Sequence, residues 1–218
     1  MTGRTRIKIC GLTRAQDVEA AVQAGADAVG FVMYERSPRH VAPHQLAGLT
    51  ARLPPFVTPV LLFVNAVPSL IEAAVGQVPQ ALLQFHGDES PAQCDAARRP
   101  YIRAARMREG LDLVDFCSQF SNASAVLVDT YSSGYGGSGK AFDWSLLPPH
   151  VPCPLVLSGG LTPANVGEGM LTARPWAVDV SSGVEQAPGI KDPELIRRFV
   201  QAVREADERL GLLRNTAT

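Results

Sequence analysis

The chain is poor in lysine, in aromatic residues and in any surplus of charge. Only three of its 20 basic residues are lysine (Lys8, Lys140, Lys191), they face 21 acidic residues for a net charge of −1, and aromatic residues make up 6%. This balance removes the electrostatic case for nucleic acid or an anionic membrane surface as a partner. Cysteine is sparse and scattered: Cys10, Cys94, Cys117 and Cys153 form no CxxC and no His/Cys pair at zinc spacing. Neither a disulfide-stapled fold nor a metal site is expected. Long apolar runs are missing as well. The richest, Phe56 to Val64, is about half of the ~20 residues that a membrane span requires. The opening MTGRTRIKIC lacks the apolar stretch of a secretory signal. The expectation is a soluble, cytoplasmic protein. What the chain does have is 218 residues, 46% of them hydrophobic, enough for a core that hides roughly 70% of the unfolded surface.

Short β-rich runs recur at Arg6–Cys10, Ala28–Met33, Val60–Val64, Leu82–Phe85, Tyr101–Arg106, Ala125–Asp129, Leu155–Ser158 and Ala177–Val180. Helix-like stretches separate most of them. Thr13 to Gln16 has the form of a capping box, and Gly25 is a plausible stop. Another helix is expected to begin at Thr162-Pro163. The last is expected to begin at Asp192-Pro193, with Leu195, Ile196, Phe199, Val200, Val203, Ala206 and Leu210 on one stripe up to Gly211. Strand, helix, strand at this spacing means parallel strands joined by crossovers. Eight such units predict an α/β protein, a single-domain (β/α)8 TIM barrel over residues 6–211. A short N-terminal extension (1–5) precedes it, and a frayed tail (212–218) follows. A doubly wound open sheet uses the same units, but its central strands should be apolar on both faces. Here Lys8 and Cys10, Gln84 and His86, Asp129 and Asp179 occupy alternate positions, between the aliphatic Ile7, Ile9, Val126, Val128, Val178 and Val180. In a barrel the first set faces the lumen and the second lies under the helices.

Function in such a barrel sits where the strands end and the following loops begin. Those ends read Cys10-Gly11, Ser37-Pro38-Arg39, His86-Gly87, Asp129, Ser158-Gly159-Gly160 and Ser181-Ser182-Gly183. The last two follow strands seven and eight, where free N–H groups of Gly159, Gly160, Ser181 and Ser182 would suit a phosphate. Gly134 to Ala141 nearly matches a P-loop, but Ala141 stands where a Ser or Thr hydroxyl would hold magnesium. Gly136, Gly137 and Gly139 are better read as parts of a lid over the site. Cys10 and Asp129 form an acid/base pair across one lumen, with Lys8 placed to favour a thiolate on Cys10. Arg39 could grip a carboxylate with two donors. His86 has no second ligand at metal spacing, and it joins Lys8 among the candidates facing a substrate.

These blocks resemble the phosphoribosylanthranilate isomerase family. Lys8-Ile-Cys10-Gly-Leu-Thr13, Ser37-Pro-Arg39, Leu83-Gln-Phe-His86-Gly87, Val128-Asp129, Gly136 to Lys140 with Phe142-Asp-Trp144, Ser158-Gly-Gly-Leu161 with Asn165-Val166, and Val178 to Gly183 with Lys191-Asp192 follow the family's order from about residue 6 to 205. Departures are small: Phe85 where the family often has Leu, and Ser158 where Ala is common. The resemblance implies an Amadori rearrangement of N-(5-phosphoribosyl)anthranilate to 1-(2-carboxyphenylamino)-1-deoxyribulose 5-phosphate, a step in tryptophan biosynthesis. It implies Asp129 as general acid on the ribose ring oxygen and Cys10 as the base that removes the C2′ proton. It places Arg39 on the anthranilate carboxylate, Asp179 near the ring nitrogen or sugar hydroxyls, and the phosphate at Gly159, Gly160, Ser181 and Ser182. No cofactor is implied, because the protonated imine is itself the electron sink.

Three rivals remain open on residues alone. A histidine-pathway phosphoribosyl sugar isomerase runs the same rearrangement, usually with two aspartates, so Cys10 counts against it. A Schiff-base lyase would use Lys8 as nucleophile. A non-catalytic phosphate-binding subunit would have no use for Cys10, Asp129 and Arg39 together. A small-molecule substrate is the one partner expected, with a monomer as the default and a homodimer left open.

Overall fold

Side-chain alternation along eight short strands decides the architecture. The computed structural model describes residues 4–108, 110–130 and 143–215. Its strands are β1 (Arg6–Cys10), β2 (Ala28–Val32), β3 (Thr58–Phe63), β4 (Leu82–Phe85), β5 (Tyr101–Met107), β6 (Ala125–Thr130), β7 (Leu155–Leu157) and β8 (Ala177–Val180). They pair in parallel in chain order, and β8 closes on β1. The expected barrel is therefore formed, with strand limits within about two residues of those read from the sequence. Around it run α1 (Ala15–Ala24), α2 (Leu46–Thr50), α3 (Pro68–Gln77), α4 (Pro91–Ala96), α5 (Leu113–Gln119), α6 (Val166–Ala173) and α7 (Pro193–Asn215). The expected lid residues Gly136, Gly137 and Gly139 lie outside the described residues. A small antiparallel hairpin, β9 (Glu185–Ala187) and β10 (Ile190–Lys191), occupies the β8–α7 connection.

The barrel wall separates two apolar layers. Ile7, Ile9, Phe31, Val126, Val128, Val178 and Val180 pack outward with Val18 and Ala21 of α1 and Ile196, Phe199 and Val203 of α7. Ile102, Ala104, Ala125, Leu127, Val156 and Ala177 fill the lower lumen. Cys10, Val32, Leu62 and Val64 form a third cluster, against which Tyr34 packs. A fully buried side chain such as Phe199 contributes about 1.5–3 kcal/mol relative to exposure.

Three local expectations are corrected. The Thr13–Gln16 capping box does not form: α1 begins at Ala15 with Arg14 as its N-cap and no side-chain cap. The Thr13 hydroxyl instead donates to the carbonyl of Gly189, 2.6 Å away on the hairpin. At Thr162-Pro163 the helix starts later, at Val166. Asn165 Oδ1 accepts from the Thr162 N–H, which holds the preceding residues as a turn. The last helix does start where expected, with Asp192 Oδ1 accepting from Glu194 and Leu195 N–H. It does not stop at Gly211 but continues to Asn215, so part of the expected tail is helical. An interior glycine costs about 1 kcal/mol, too little to end a helix already anchored along its apolar stripe. The scattered cysteines are all free, yet the Sγ atoms of Cys117 and Cys153 come within 2.9 Å. Among the described residues no helix is long and apolar enough to cross a membrane, and no metal-binding cluster is present.

Candidate active site

The C-terminal ends of the strands surround a cavity of about 770 Å³, partly open to solvent. Cys10, Arg39, His86, Asp129 and Asp179 reach it, as do Gly159, Gly160, Ser181 and Ser182. Nearly every residue expected at the site is thus brought together. Among the described residues Lys8 is the exception.

Period-two alternation on β1 points Lys8 and Cys10 to the same face, with Lys8 deeper. The β1–β8 register sets Lys8 beside Asp179, and the ammonium donates to Asp179 Oδ1 at 2.8 Å with both side chains buried. Burial works against the Lys8 charge, but Asp179 and Cys10 hold its pKa above the ordinary lysine value. Lys8 does not line the cavity, so it is corrected from a substrate-binding group to a supporting one. A buried, firmly protonated amine is also a poor nucleophile, which removes the Schiff-base reading.

The same pairing corrects the expectation for Cys10. Burial pushes its thiol above the ordinary cysteine value; Lys8 pulls the other way, but Asp179 neutralises Lys8 and adds to the upward shift. Cys10 rests as a neutral thiol against Val32, Leu62 and Val64.

Asp129 is the next-to-last residue of β6, three strands from β1 around the barrel. Its Oδ1 accepts from the Thr130 N–H at 2.8 Å, and its Oδ2 lies 3.0 Å from His86 Nε2. Gln84 Nε2 lies 3.1 Å from His86 Nδ1 and can only donate there, which places the ring proton on Nε2 and directs it to Asp129. Both Asp129 oxygens therefore act as acceptors, as suits a carboxylate. Gln84 Oε1 is buried without a hydrogen-bond partner among the described residues.

Arg39 lies across Gly11, whose φ of +75° and missing side chain are both required, since a Cβ there would sit 2.5 Å from Arg39 Cδ. Its Nε and Nη2 donate to Glu185 at 2.8 and 2.7 Å. This pair keeps the Arg39 pKa above its ordinary value. Glu185 is held below the ordinary carboxylate range: burial opposes its charge, but Arg39 and Lys191 outweigh burial. On the opposite rim, the N–H groups of Gly159 and Gly160 have no backbone acceptor among the described residues, so they are free to meet an anion.

Four supporting residues were given no role in the sequence reading. Lys191 entered only as part of the Lys191-Asp192 block, and Glu185 went without a role because its partners, Arg39 and Lys191, lie on other segments. Arg103 is buried on the outer face of β5, where it donates to the carbonyls of Phe85 and Gly87 at 2.8 and 3.0 Å. Glu89 accepts from the N–H groups of Asn65 and Gly87. Together Arg103 and Glu89 hold the chain on both sides of His86. A buried charge on a strand face expected to be aliphatic is the clue that could have found Arg103.

Comparison with known proteins follows the same geometry. The family model described as N-(5'phosphoribosyl)anthranilate (PRA) isomerase matches residues 7–202. The N-(5'-phosphoribosyl)anthranilate isomerase of Methylibium petroleiphilum is 65% identical over 95% of this chain and 98% of its own length. That of Dechloromonas aromatica is 57% identical over 94% and 99%. Among solved structures, the phosphoribosyl anthranilate isomerase of Thermotoga maritima aligns with a TM-score of 0.84 at 41% identity, covering 92% of this chain and 99% of that one. Another, solved with reduced 1-(o-carboxyphenylamino)-1-deoxyribulose 5-phosphate, aligns at 0.81 and 38% with the same coverage. A chain matched over nearly its whole length by sequence, family model and fold belongs to the N-(5'-phosphoribosyl)anthranilate isomerase family.

Proposed function

We propose that the chain isomerises N-(5'-phosphoribosyl)anthranilate to 1-(2-carboxyphenylamino)-1-deoxyribulose 5-phosphate in tryptophan biosynthesis, with Asp129 as general acid and Cys10 as general base. The observation that carries this reading is one cavity holding a thiol and a carboxylic group on separate strands, between an arginine and a pair of free backbone N–H groups. The phosphate would sit against Gly159, Gly160, Ser181 and Ser182, the carboxylate on Arg39, and the aromatic ring on the apolar wall of Val32, Leu62 and Val64. Both anchors lie away from the reacting carbons, so their binding energy positions the sugar without taking part in the chemistry.

Asp129 would donate a proton to the ribose ring oxygen as the C1′–O bond breaks, leaving an open-chain iminium. Cys10 would then take the C2′ proton. The C2′–H electron pair becomes the C1′–C2′ double bond of an enolamine, the iminium nitrogen regains its lone pair, and tautomerisation gives the ketone. This sequence needs a protonated Asp129 and a Cys10 thiolate, the reverse of the resting arrangement. The two arrangements hold the same number of protons, so converting one to the other needs no net exchange with solvent. His86 and Gln84 can follow that change. If Asp129 gains the proton it donates to Nε2, Nδ1 carries the ring proton, and a turn of the Gln84 amide offers its unpartnered Oε1 as acceptor.

The test is the loss of the N-ribosylated anthranilate's fluorescence when the purified protein meets freshly generated phosphoribosylanthranilate. Wild type should consume the signal. Cys10→Ala and Asp129→Asn should each slow it by at least about 10², the low end for general acid–base catalysis. Folded wild type without turnover would overturn the assignment, and either variant within threefold of wild type would remove that residue from its role.

A further inference from the structure

The β9–β10 hairpin contributes a buried ionic unit that the reaction as described does not use. Glu185 takes Arg39 by its side edge, with Nε on Oε1 and Nη2 on Oε2. Lys191, fully buried, spends its three donors on Glu185 Oε1 at 2.8 Å, the Ser181 carbonyl at 3.0 Å and the Ser181 hydroxyl at 3.3 Å. The hairpin is itself fastened to α1 and the turn before it, because Thr13 donates to the Gly189 carbonyl and the Lys191 N–H donates to Asp17.

We propose that Glu185 and Lys191 are positioning residues that fix Arg39 and the Ser181 loop as one unit, so that the distance between the substrate's carboxylate and phosphate grips is set by the hairpin. This rests on the proposed isomerase reading. A guanidinium offers two forks, a side one through Nε and Nη2 and an end one through Nη1 and Nη2. Glu185 fills the side fork. Among the described residues Nη1 has no hydrogen-bond partner, so the end fork is left to take a second carboxylate in two-pronged fashion. Without Glu185 the flexible arginine would sample other rotamers and would have to be ordered at each binding event. The unit carries two cations against one carboxylate, a surplus of one positive charge suited to an anionic ligand. Lys191 reaches both grips from one atom, and no other side chain among the described residues bonds to both Glu185 and Ser181.

Two probes separate this role from a general structural one: the reduced product, and the same compound lacking its aromatic carboxylate. Binding to wild type, Glu185→Gln, Arg39→Met and the double variant is measured by calorimetry, with kcat and KM alongside. Wild type should prefer the carboxylated probe by at least tenfold. Glu185→Gln should lose most of that preference while its affinity for the decarboxy probe stays within threefold, and KM should rise more than kcat falls. Adding Glu185→Gln to Arg39→Met should bring no further loss of preference. Lys191→Met should weaken both probes, because it frees Ser181 as well. If Glu185→Gln fails to fold, Glu185→Asp, which keeps the charge but shortens the reach to Arg39, serves in its place with the same expected loss of preference. A wild type without preference would refute the role of Arg39 on which this rests. A wild-type preference that survives in Glu185→Gln, or equal weakening of both probes, would overturn the positioning role alone.

Discussion

The space beside Cys10 offers the sharpest test of how much the base depends on its placement. Gly30 on β2 faces Cys10 across the lumen wall, and a Cβ added there would lie 2.7 Å from Cys10 Sγ, 3.1 Å from Cys10 Cα and 3.2 Å from Lys8 Cε. Ordinary contacts between such atoms are about 3.5–4.0 Å. Gly30→Ala must therefore move the sulfur by about 1 Å, and a rotamer change cannot relieve the contact with Cα. Misplacement of a reacting group by ~1 Å can cost 10²-fold in rate, which corresponds to about 2.7 kcal/mol of activation free energy.

Overpacking should also lower stability by about 1–3 kcal/mol, a Tm drop of roughly 2–12 °C for a domain of this size. Turnover followed by fluorescence should thus show kcat reduced about a hundredfold, with a folded variant confirmed by its melt. Gly76→Ala is the matched control: Gly76 lies on α3 with open space around its Cβ position, so activity should be unchanged and stability equal or higher. Gly30→Ala with kcat within threefold of wild type would refute the claim that the position of Cys10 limits the reaction.

Three further outcomes are expected. The alkaline limb of the kcat/KM profile should lie at higher pH than an ordinary thiol's ~8.5, because burial and Asp179 raise the Cys10 pKa; a limb below that of an ordinary thiol would show a depressed thiol instead. Lys8→Met should cost about 3–5 kcal/mol in urea unfolding, since it strands a buried Asp179 carboxylate; adding Asp179→Asn should recover much of this, and a single-variant cost below about 1 kcal/mol would contradict the pairing. Cys94, on the buried face of α4, has its thiol pKa pushed up to about 11 by burial, so the folded protein keeps a proton that the unfolded chain releases above about pH 9. Stability should therefore fall from pH 9 to about 11, and less steeply in Cys94→Ala; identical slopes would exclude this contribution.

The barrel was legible because period-two alternation is local. Lys8, Cys10, Asp129 and Asp179 declared the lumen face, and Ile7, Ile9, Val126 and Val128 the helix-covered face, without knowledge of any distant residue. The helix starts were less legible because their signals have competitors. The Thr13 hydroxyl had a better acceptor on the hairpin at Gly189, which no local pattern reveals. Gly211 carried a stop signal that the stripe from Ile196 to Leu210 overrode.

The electrostatics of the site failed to read locally for a related reason. Lys8 beside Cys10 in sequence suggested a depressed thiol, and that reasoning holds only for an unpaired lysine. Closure of the barrel pairs the first strand with the last, and its register sets Lys8 against Asp179, 171 residues away. The same closure brings Glu185 and Lys191, just beyond β8, to Arg39, just beyond β2. In a closed barrel the charges of the terminal strands should thus be assigned to each other before either is assigned to a neighbour in sequence. Two of the three lysines were the clue: in a chain that otherwise uses arginine, a lysine kept on a lumen-facing strand end or a hairpin marks a compact ammonium with several acceptors around it. Lys8 and Lys191 both meet that description, and each fixes a residue of the site without touching the cavity itself.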